Sequence, residues 1–163
     1  AQAYDLFEES RGPFKEAGDR AGMADAHIGL ASVATMQGDF ASARDLYQES
    51  FLILQRIQYK ELISPCLEGL ATVVAGEGEL VWAVHLWGAS EALREAIGTP
   101  IPPVYRLDYE RAVAKARAQL DNEAFARAWA EGRSMTPEQA MATHHTQQSA
   151  EQRASIPPMP LIP

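Results

Sequence analysis

The sequence predicts an all-α protein built from antiparallel helix hairpins. Shifting the 163-residue chain against itself by 40 positions aligns similar residues from residue 3 to residue 97, and a period of this length is typical of stacked supersecondary units. Apolar residues within each unit recur at the spacing of an α-helix. A glycine followed by an acidic residue separates the two helices of each complete unit, which predicts a short turn.

The repeat is carried by matching residues in two complete units. Gly29-Leu30-Ala31-x-Val33 returns 40 positions later as Gly69-Leu70-Ala71-x-Val73. Each of these runs lies in the first helix of its unit. Complete hairpins are therefore expected at about 20–57 and 60–98.

The first hairpin shows how each unit is built. Apolar residues from Gly22 to Gln37 predict one helix, and the helical period resumes at Phe40. Gly38 suits the left-handed position that follows a helix end, and Asp39 suits the N-cap of the next helix. The unit is therefore predicted to be two helices joined by a two-residue turn.

Residues 1–18 predict only a partial first repeat, because they match the second helix of a unit. Gly12-Pro13 stands inside this stretch, and proline removes a backbone donor and clashes with the preceding helical turn. We therefore expect a kink or an early helix end there. The hairpin array as a whole is expected to cover residues 1–98.

The 40-residue register ends at Ile97, and residues 99–103 predict a proline-rich connector. Capping helices are expected over 104–142, where they would cover the end of the array. The first of them is predicted over 105–120, with Leu107 among the residues on its apolar face.

Two further helix starts and a tail follow. Asp121 suits the N-cap of a helix that is expected to stop at Gly132, and Thr136-Pro137-Glu138-Gln139 has the pattern of a capping box with proline at the first helical position. Residues 143–163 predict an extended linker with four prolines near its end. We expect this tail to pack on its own array or on a second copy, so a homodimer through the tail is a candidate.

Small and large side chains alternate at the same positions of both hairpins. The pattern Leu30-Ala31…Gly38-Asp39-Phe40-x-x-Ala43-x-x-x-Tyr47-x-x-Ser50 resembles the tetratricopeptide repeat, and Leu70-Ala71…Gly78-Glu79-Leu80-x-x-Ala83-x-x-x-Trp87-x-x-Ser90 resembles a second copy. The resemblance implies a TPR-like right-handed superhelix with a C-terminal helical cap. The period of 40 residues instead of about 34 implies a longer second helix in each unit.

The segment after the array resembles a narrower group of proteins. The runs Tyr109-Glu110-Arg111-Ala112-Val113 and Ala128-Trp129-Ala130-Glu131-Gly132-Arg133 look like the end of the helical sensor region in large bacterial signal-transducing ATPases, which include LuxR-type and MalT-like transcription regulators. The resemblance implies a non-catalytic protein-interaction or sensor domain that couples binding to the rest of the chain. Sugar binding in MalT-like regulators implies an alternative, a sensor for a small inducer.

In that family a nucleotide-binding domain precedes the repeats, and many members carry a helix-turn-helix after them. This sequence contains neither a G-x-x-x-x-G-K-[ST] phosphate loop nor a basic recognition helix. We therefore expect both parts to lie outside this chain.

Composition and charge argue against several other classes. The first 100 residues hold 15 acidic and 7 basic side chains, whereas the rest hold 7 of each. Because an acidic surface repels phosphate, direct nucleic-acid binding is not expected. One cysteine cannot form an internal disulfide, and no Cys/His cluster has zinc spacing. No apolar run reaches the ~18 residues of a membrane span, so we expect a cytoplasmic protein.

Residue types with catalytic potential have no matched partners in the sequence. The neighbours His144-His145 would point about 100° apart on a helix, so they are expected to be solvated. His27 and His85 are expected to fill helix interfaces. Cys66 follows Ser64-Pro65, which suit the N-cap and the first helical position, and it is predicted to be a packed thiol. We expect no catalytic residue, metal or cofactor.

The candidate functional surface is the concave face that the repeat resemblance implies. The first helix of each unit would direct one stripe of side chains toward a protein partner, either another domain of the same chain or a separate peptide or protein. The predicted partner-binding residues are Asp25, Ile28, Ser32, Thr35, Met36, Glu68 and Thr72. The stripe lacks the Lys and Asn/Arg set with which some such repeats clamp a terminal carboxylate, so an acidic C-terminal peptide is a poor candidate.

Overall fold

The computed structural model describes residues 18–143, and the regular secondary structure within this range is helical. The helices with two defined ends are α1 (Arg20–Gln37), α2 (Phe40–Ile57), α3 (Ile63–Gly76), α4 (Leu80–Ile97), α5 (Pro103–Arg117) and α6 (Asn122–Ser134). A 3-10 turn, Lys60–Leu62, leads into α3, and α7 begins at residue 137 and continues to residue 143. The all-α prediction is confirmed for these residues. The predictions for the partial first repeat, the tail and His144-His145 lie outside them.

The turn between α1 and α2 has the predicted capping residues. Gly38 has φ 79°, and its backbone N–H donates to the carbonyl of Thr35. The carboxylate of Asp39 accepts a hydrogen bond of 3.2 Å from the backbone N–H of Ser42, which satisfies one free donor of the first turn of α2. Both capping predictions are confirmed.

Neighbouring helices of the array run antiparallel. Ser50, in the second half of α2, donates its hydroxyl to the carbonyl of Ala24, near the start of α1, over 3.0 Å. Ser64, in the first turn of α3, lies beside Ser90, in the second half of α4. Side chains at opposite ends of consecutive helices therefore meet.

The alternation of small and large residues is confirmed by burial. Ala43 and Ser50 are fully buried, and Tyr47 lies between them at 3% exposure. The Tyr47 ring occupies the space above Gly69, where a β-carbon would lie 2.2 Å from the ring atom Cζ. The equivalent ring of Trp87 in the second hairpin is also fully buried. Small residues therefore make room for one large ring in each hairpin.

Helix α4 lies at the centre of the packing, with α3 and α6 against it. It crosses α6 where two glycines meet. A β-carbon on Gly88 would lie 2.6 Å from the carbonyl oxygen of Trp129, and one on Gly132 would lie 2.4 Å from the carbonyl oxygen of His85. Because both neighbours are backbone atoms, only glycine allows the two helices to approach this closely.

The C-terminal capping box is confirmed. The backbone N–H of Thr136 donates to Oε1 of Gln139 over 2.8 Å, and the backbone N–H of Gln139 donates to Oγ1 of Thr136 over 3.2 Å. These reciprocal bonds start α7. The indole Nε1 of Trp82 donates to the carbonyl of Ala140 over 2.9 Å, so α7 is joined to α4.

Four local predictions are wrong. Ser64 is not an N-cap, because α3 already begins at Ile63 after the 3-10 turn and Ser64 is buried. Gly132 does not end α6, which continues to Ser134; the glycine lies inside the helix, where it meets the backbone of α4. Leu107 lies outside the core at 56% exposure, since the side chains of α5 that face the core begin only at Tyr109. Helix α5 also starts at Pro103, which shortens the predicted connector by one residue.

Candidate functional site

The predicted interaction stripe on α1 is accessible. Asp25, Ser32 and Met36 are exposed, and 87% of the surface of Met36 faces solvent. Asp25 and Met36 are eleven positions apart, so an α-helix places them about 20° apart on one face. Ile28 and Thr35 are half-buried beside this stripe. The five residues therefore share one surface, and its binding of a partner stays a prediction.

The two predicted residues on α3, Glu68 and Thr72, make hydrogen bonds within the protein. The carboxylate of Glu68 is held by Arg94 of α4, with Nε to Oε1 at 2.6 Å and Nη2 to Oε2 at 2.9 Å. The hydroxyl of Ser90 also donates to Oε1 of Glu68, over 2.7 Å. Thr72 donates its hydroxyl to the carbonyl of Glu68 over 3.0 Å. Both carboxylate oxygens of Glu68 therefore already accept hydrogen bonds from α4.

A cleft of about 380 Å³ lies beside this ion pair, where α3, α4, the connector 98–102 and α5 meet. Its volume falls in the range of small-molecule sites. Its charged lining residues come from α3 and α4, whereas the connector supplies apolar groups and α5 supplies the phenol ring of Tyr109. The lining includes Glu68, Glu91, Arg94, Pro100, Ile101 and Tyr109.

Arg94 also binds the connector. Its Nη1 donates to the carbonyl of Thr99 over 3.0 Å and reaches that of Pro100 at 3.5 Å. The carbonyl of Arg94 in turn accepts from the backbone N–H of Thr99 over 3.1 Å. The side chains of Arg94 and Glu68 are only 10% and 14% exposed. One residue of α4 therefore links α3 to the chain that leads into α5.

A second arginine connects the cleft to α6, because Arg133 of α6 pairs with two carboxylates of the cleft lining. Arg133 contacts Oε2 of Glu91 at 2.6 Å and Oε2 of Glu95 at 2.7 Å, and the indole Nε1 of Trp129 donates to the same oxygen of Glu91 over 2.7 Å. These contacts hold the pKa of Glu95 below its usual value, because Arg133 donates hydrogen bonds to that carboxylate. Arg133 of α6 is therefore paired with two carboxylates of α4.

The phenol of Tyr109 lies in a negative environment. Burial raises the pKa of Tyr109, and the charges of Glu68 and Glu91 raise it further, whereas Arg94 acts in the opposite direction. The phenol is therefore neutral at physiological pH and retains a proton that it can donate. The cleft therefore combines a neutral phenol, from Tyr109, with the apolar side chain of Ile101.

Glu91, Arg94 and Tyr109 were not among the site residues predicted from the sequence. One signal was present, because Glu91, Arg94 and Glu95 are spaced at i, i+3 and i+4 and so share one face of α4 just before the connector. The location of Tyr109 above that face depends on how α5 folds back.

The buried histidines and the cysteine lie in helix interfaces, as expected. Nδ1 of His27 is 3.8 Å from Oε2 of Glu49, and Nε2 of His85 is 3.1 Å from Oε2 of Glu131. Cys66 is buried, and burial raises the pKa of its thiol to about 12. The prediction of a packed thiol is confirmed.

Residues 18–143 contain no candidate metal site and no candidate membrane span. No three His, Cys, Asp or Glu side chains in this range are grouped so that they could hold a metal ion. No helix in the same range is long and apolar enough to cross a membrane.

Comparison with known proteins finds similarity to bacterial regulators. Three relatives named "Putative HTH-type transcriptional regulator", one from Mycobacterium bovis and two from strains of Mycobacterium tuberculosis, are each 29% identical to this chain over 112 residues. The match covers 69% of this chain and 13% of each relative, so the chain corresponds to a small part of their length. No family model matches the chain, and no solved structure matches it.

Proposed function

We propose that this chain is a non-catalytic interaction and sensor module of an HTH-type transcriptional regulator, which couples binding on the helical array to the rest of the protein. The observation that carries the proposal is the 29% identity over 112 residues to proteins named as such regulators. A regulator of transcription would act in the cytoplasm. The acidic balance of the first 100 residues supports a protein partner over direct contact with nucleic acid.

The proposal includes a TPR-like right-handed superhelix. Its support is the register of small and large residues, since Ala43, Tyr47 and Ser50 recur 40 positions later as Ala83, Trp87 and Ser90, and all six are buried. Stacked hairpins of this kind leave the first helix of each unit accessible on one side. The exposed stripe of α1, from Asp25 to Met36, is then the surface that receives the partner.

The test is a pair of charge changes in the chromosomal gene that encodes this chain. Asp25→Lys with Met36→Lys alters the exposed stripe of α1 without touching the core. We expect this variant to change the same transcripts that change when the coding region for residues 18–143 is deleted, as measured by RNA sequencing. Circular dichroism of the purified variant should show unchanged helix content.

The matched control is Asp45→Lys with Leu52→Lys. Asp45 and Leu52 are also exposed, but they lie on α2. As in the α1 pair, the two substitutions replace one acidic and one apolar side chain by lysine. The control should leave the transcripts at wild-type levels. If the α1 pair also left the transcripts unchanged, the proposal that this stripe binds a partner would be wrong. Equal changes with both pairs would also contradict it, because added positive charge on either helix would then be enough to alter the transcripts.

A second candidate function is the sensing of a small ligand, and the cleft of about 380 Å³ favours it. In the same assay the variant Ile101→Lys places a long charged side chain at the apolar wall of the cleft. A ligand-sensing cleft predicts that Ile101→Lys changes the transcripts and that the α1 pair does not.

A further inference from the structure

Helix α5 is attached to the rest of the fold by few apolar groups. Ala116 is its buried residue, and Tyr109, Ala112 and Val113 are half-buried against the core. Its first turns expose Val104 and Leu107, at 73% and 56%. Because local stability follows the buried apolar contacts of a segment, polar contacts at the ends of α5 have a large share in holding it.

The polar contact at the start of α5 is made by Arg94. Its guanidinium uses Nε and Nη2 for the carboxylate of Glu68 and Nη1 for the carbonyls of Thr99 and Pro100. The guanidinium is planar, so these directions are set together. One guanidinium therefore contacts Glu68 on α3 and also the connector, three to four positions before α5 begins at Pro103.

We propose that Arg94 is a latch that fixes the connector 98–102 and with it the orientation of α5. When the contact between Arg94 and Glu68 opens, α5 separates from α3 and α4 as a unit while α1 and α2 stay folded. The cleft is lined by both latch residues and by Pro100, so an occupant that favours one latch state would shift the orientation of α5.

Hydrogen exchange measured by mass spectrometry on the complete 163-residue chain tests the latch with Arg94→Lys. Lysine keeps a positive charge for Glu68, but one ammonium group cannot replace a planar fork that bridges two carboxylate oxygens and the connector carbonyls. We expect the backbone amides of α5 that follow Pro103 to exchange about tenfold faster, with the exchange of α1 and α2 unchanged.

Arg133→Lys is the matched control. Arg133 also pairs with two carboxylate groups of α4, but it belongs to α6 and makes none of the connector contacts. This variant should accelerate exchange in α6 and leave α5 at the wild-type rate. Faster exchange of α5 in both variants to the same extent would overturn the specific role of Arg94.

Glu68→Gln gives an independent measurement that keeps Arg94 in place. The amide preserves the size of the side chain and removes the charge that holds the guanidinium, so α5 should again exchange faster than α1 and α2. The latch is wrong if α5 keeps its wild-type rate in either variant, or if all helices accelerate equally. None of these outcomes bears on the α1 stripe, so the proposed function is tested separately.

Discussion

Helices α4 and α5 are neighbours in the sequence with lengths of 18 and 15 residues, and their surroundings are opposite. Every residue from Trp82 to Ser90 of α4 is buried, whereas Ala116 is the buried residue of α5. A helix with neighbours on all sides needs apolar or small residues around its whole circumference. A helix that buries few of its residues depends more on the polar contacts at its ends.

Helix α4 is more buried than α5 because more helices pack against it. It receives α3 on one side and α6 on another, and its Trp82 reaches α7 through the carbonyl of Ala140. Gly88 removes a side chain where α6 crosses. Helix α5 has no comparable crossing in the described part of the chain, and Arg94 supplies the attachment of the connector that precedes it.

The largest expected effect is that of deleting a core side chain from α4. Leu86→Ala removes a fully buried side chain and should lower the free energy of unfolding by about 3 kcal/mol. The same change in α5, Leu107→Ala, should stay within about 0.5 kcal/mol, because Leu107 is largely exposed. Urea unfolding of the 163-residue chain, followed by circular dichroism, measures both. Equal losses in the two variants would show that the outer side of α5 is covered in solution.

An intermediate effect is expected at the crossing of α4 and α6. Gly132→Ala places a methyl group against the carbonyl of His85, and backbone cannot move aside as a side chain does. We expect a loss of about 2 kcal/mol, because overpacking outweighs the better helix propensity of alanine. Thermal and urea unfolding provide the measurement.

Gly76→Ala serves as the control for that crossing. Its new methyl group would meet the far end of the Phe40 ring, which can shift, and the free energy of unfolding should change by less than about 1 kcal/mol. A Gly132→Ala variant as stable as the wild-type chain would mean that the two helices are farther apart in solution.

Features set by one or two neighbouring residues were predictable from the sequence. Gly38 and Asp39 determine their turn through backbone conformation and one local hydrogen bond, and Thr136 with Gln139 determines the start of α7 in the same way. A glycine near a helix end is ambiguous, however. Gly132 has the position of a helix stop, and its use as a crossing residue depends on a carbonyl of His85, 47 positions earlier in the chain.

The candidate site was predictable only in part for a similar reason. The stripe on α1 follows from helical periodicity, and its exposed members Asp25, Ser32 and Met36 are accessible as expected. The pairing of Glu68 with Arg94 joins residues 26 positions apart, so it requires the packing of α3 on α4. Tyr109 reaches the cleft only because the connector turns α5 back over α4. The periodicity of a single helix predicts neither the pairing of Glu68 with Arg94 nor the location of Tyr109.

A smaller loss than that of Gly132→Ala is expected at the junction of α5 and α6. The carboxylate of Asp121 accepts a hydrogen bond of 2.7 Å from the backbone N–H of Ala124, and Asp121→Ala should cost about 1 kcal/mol, as is usual for an N-cap. The first turn of α6 carries Phe125, whose ring lies 5.3 Å from the guanidinium carbon of Arg117 at the end of α5. Fraying of this turn should therefore accelerate hydrogen exchange at the end of α5 but not at its start, where Arg94 holds the connector. Asp121→Asn retains a capping oxygen and should restore most of the stability. A loss as large as that of Leu86→Ala would place the junction in the same cooperative unit as α4, and the contrast between the two helices would then disappear.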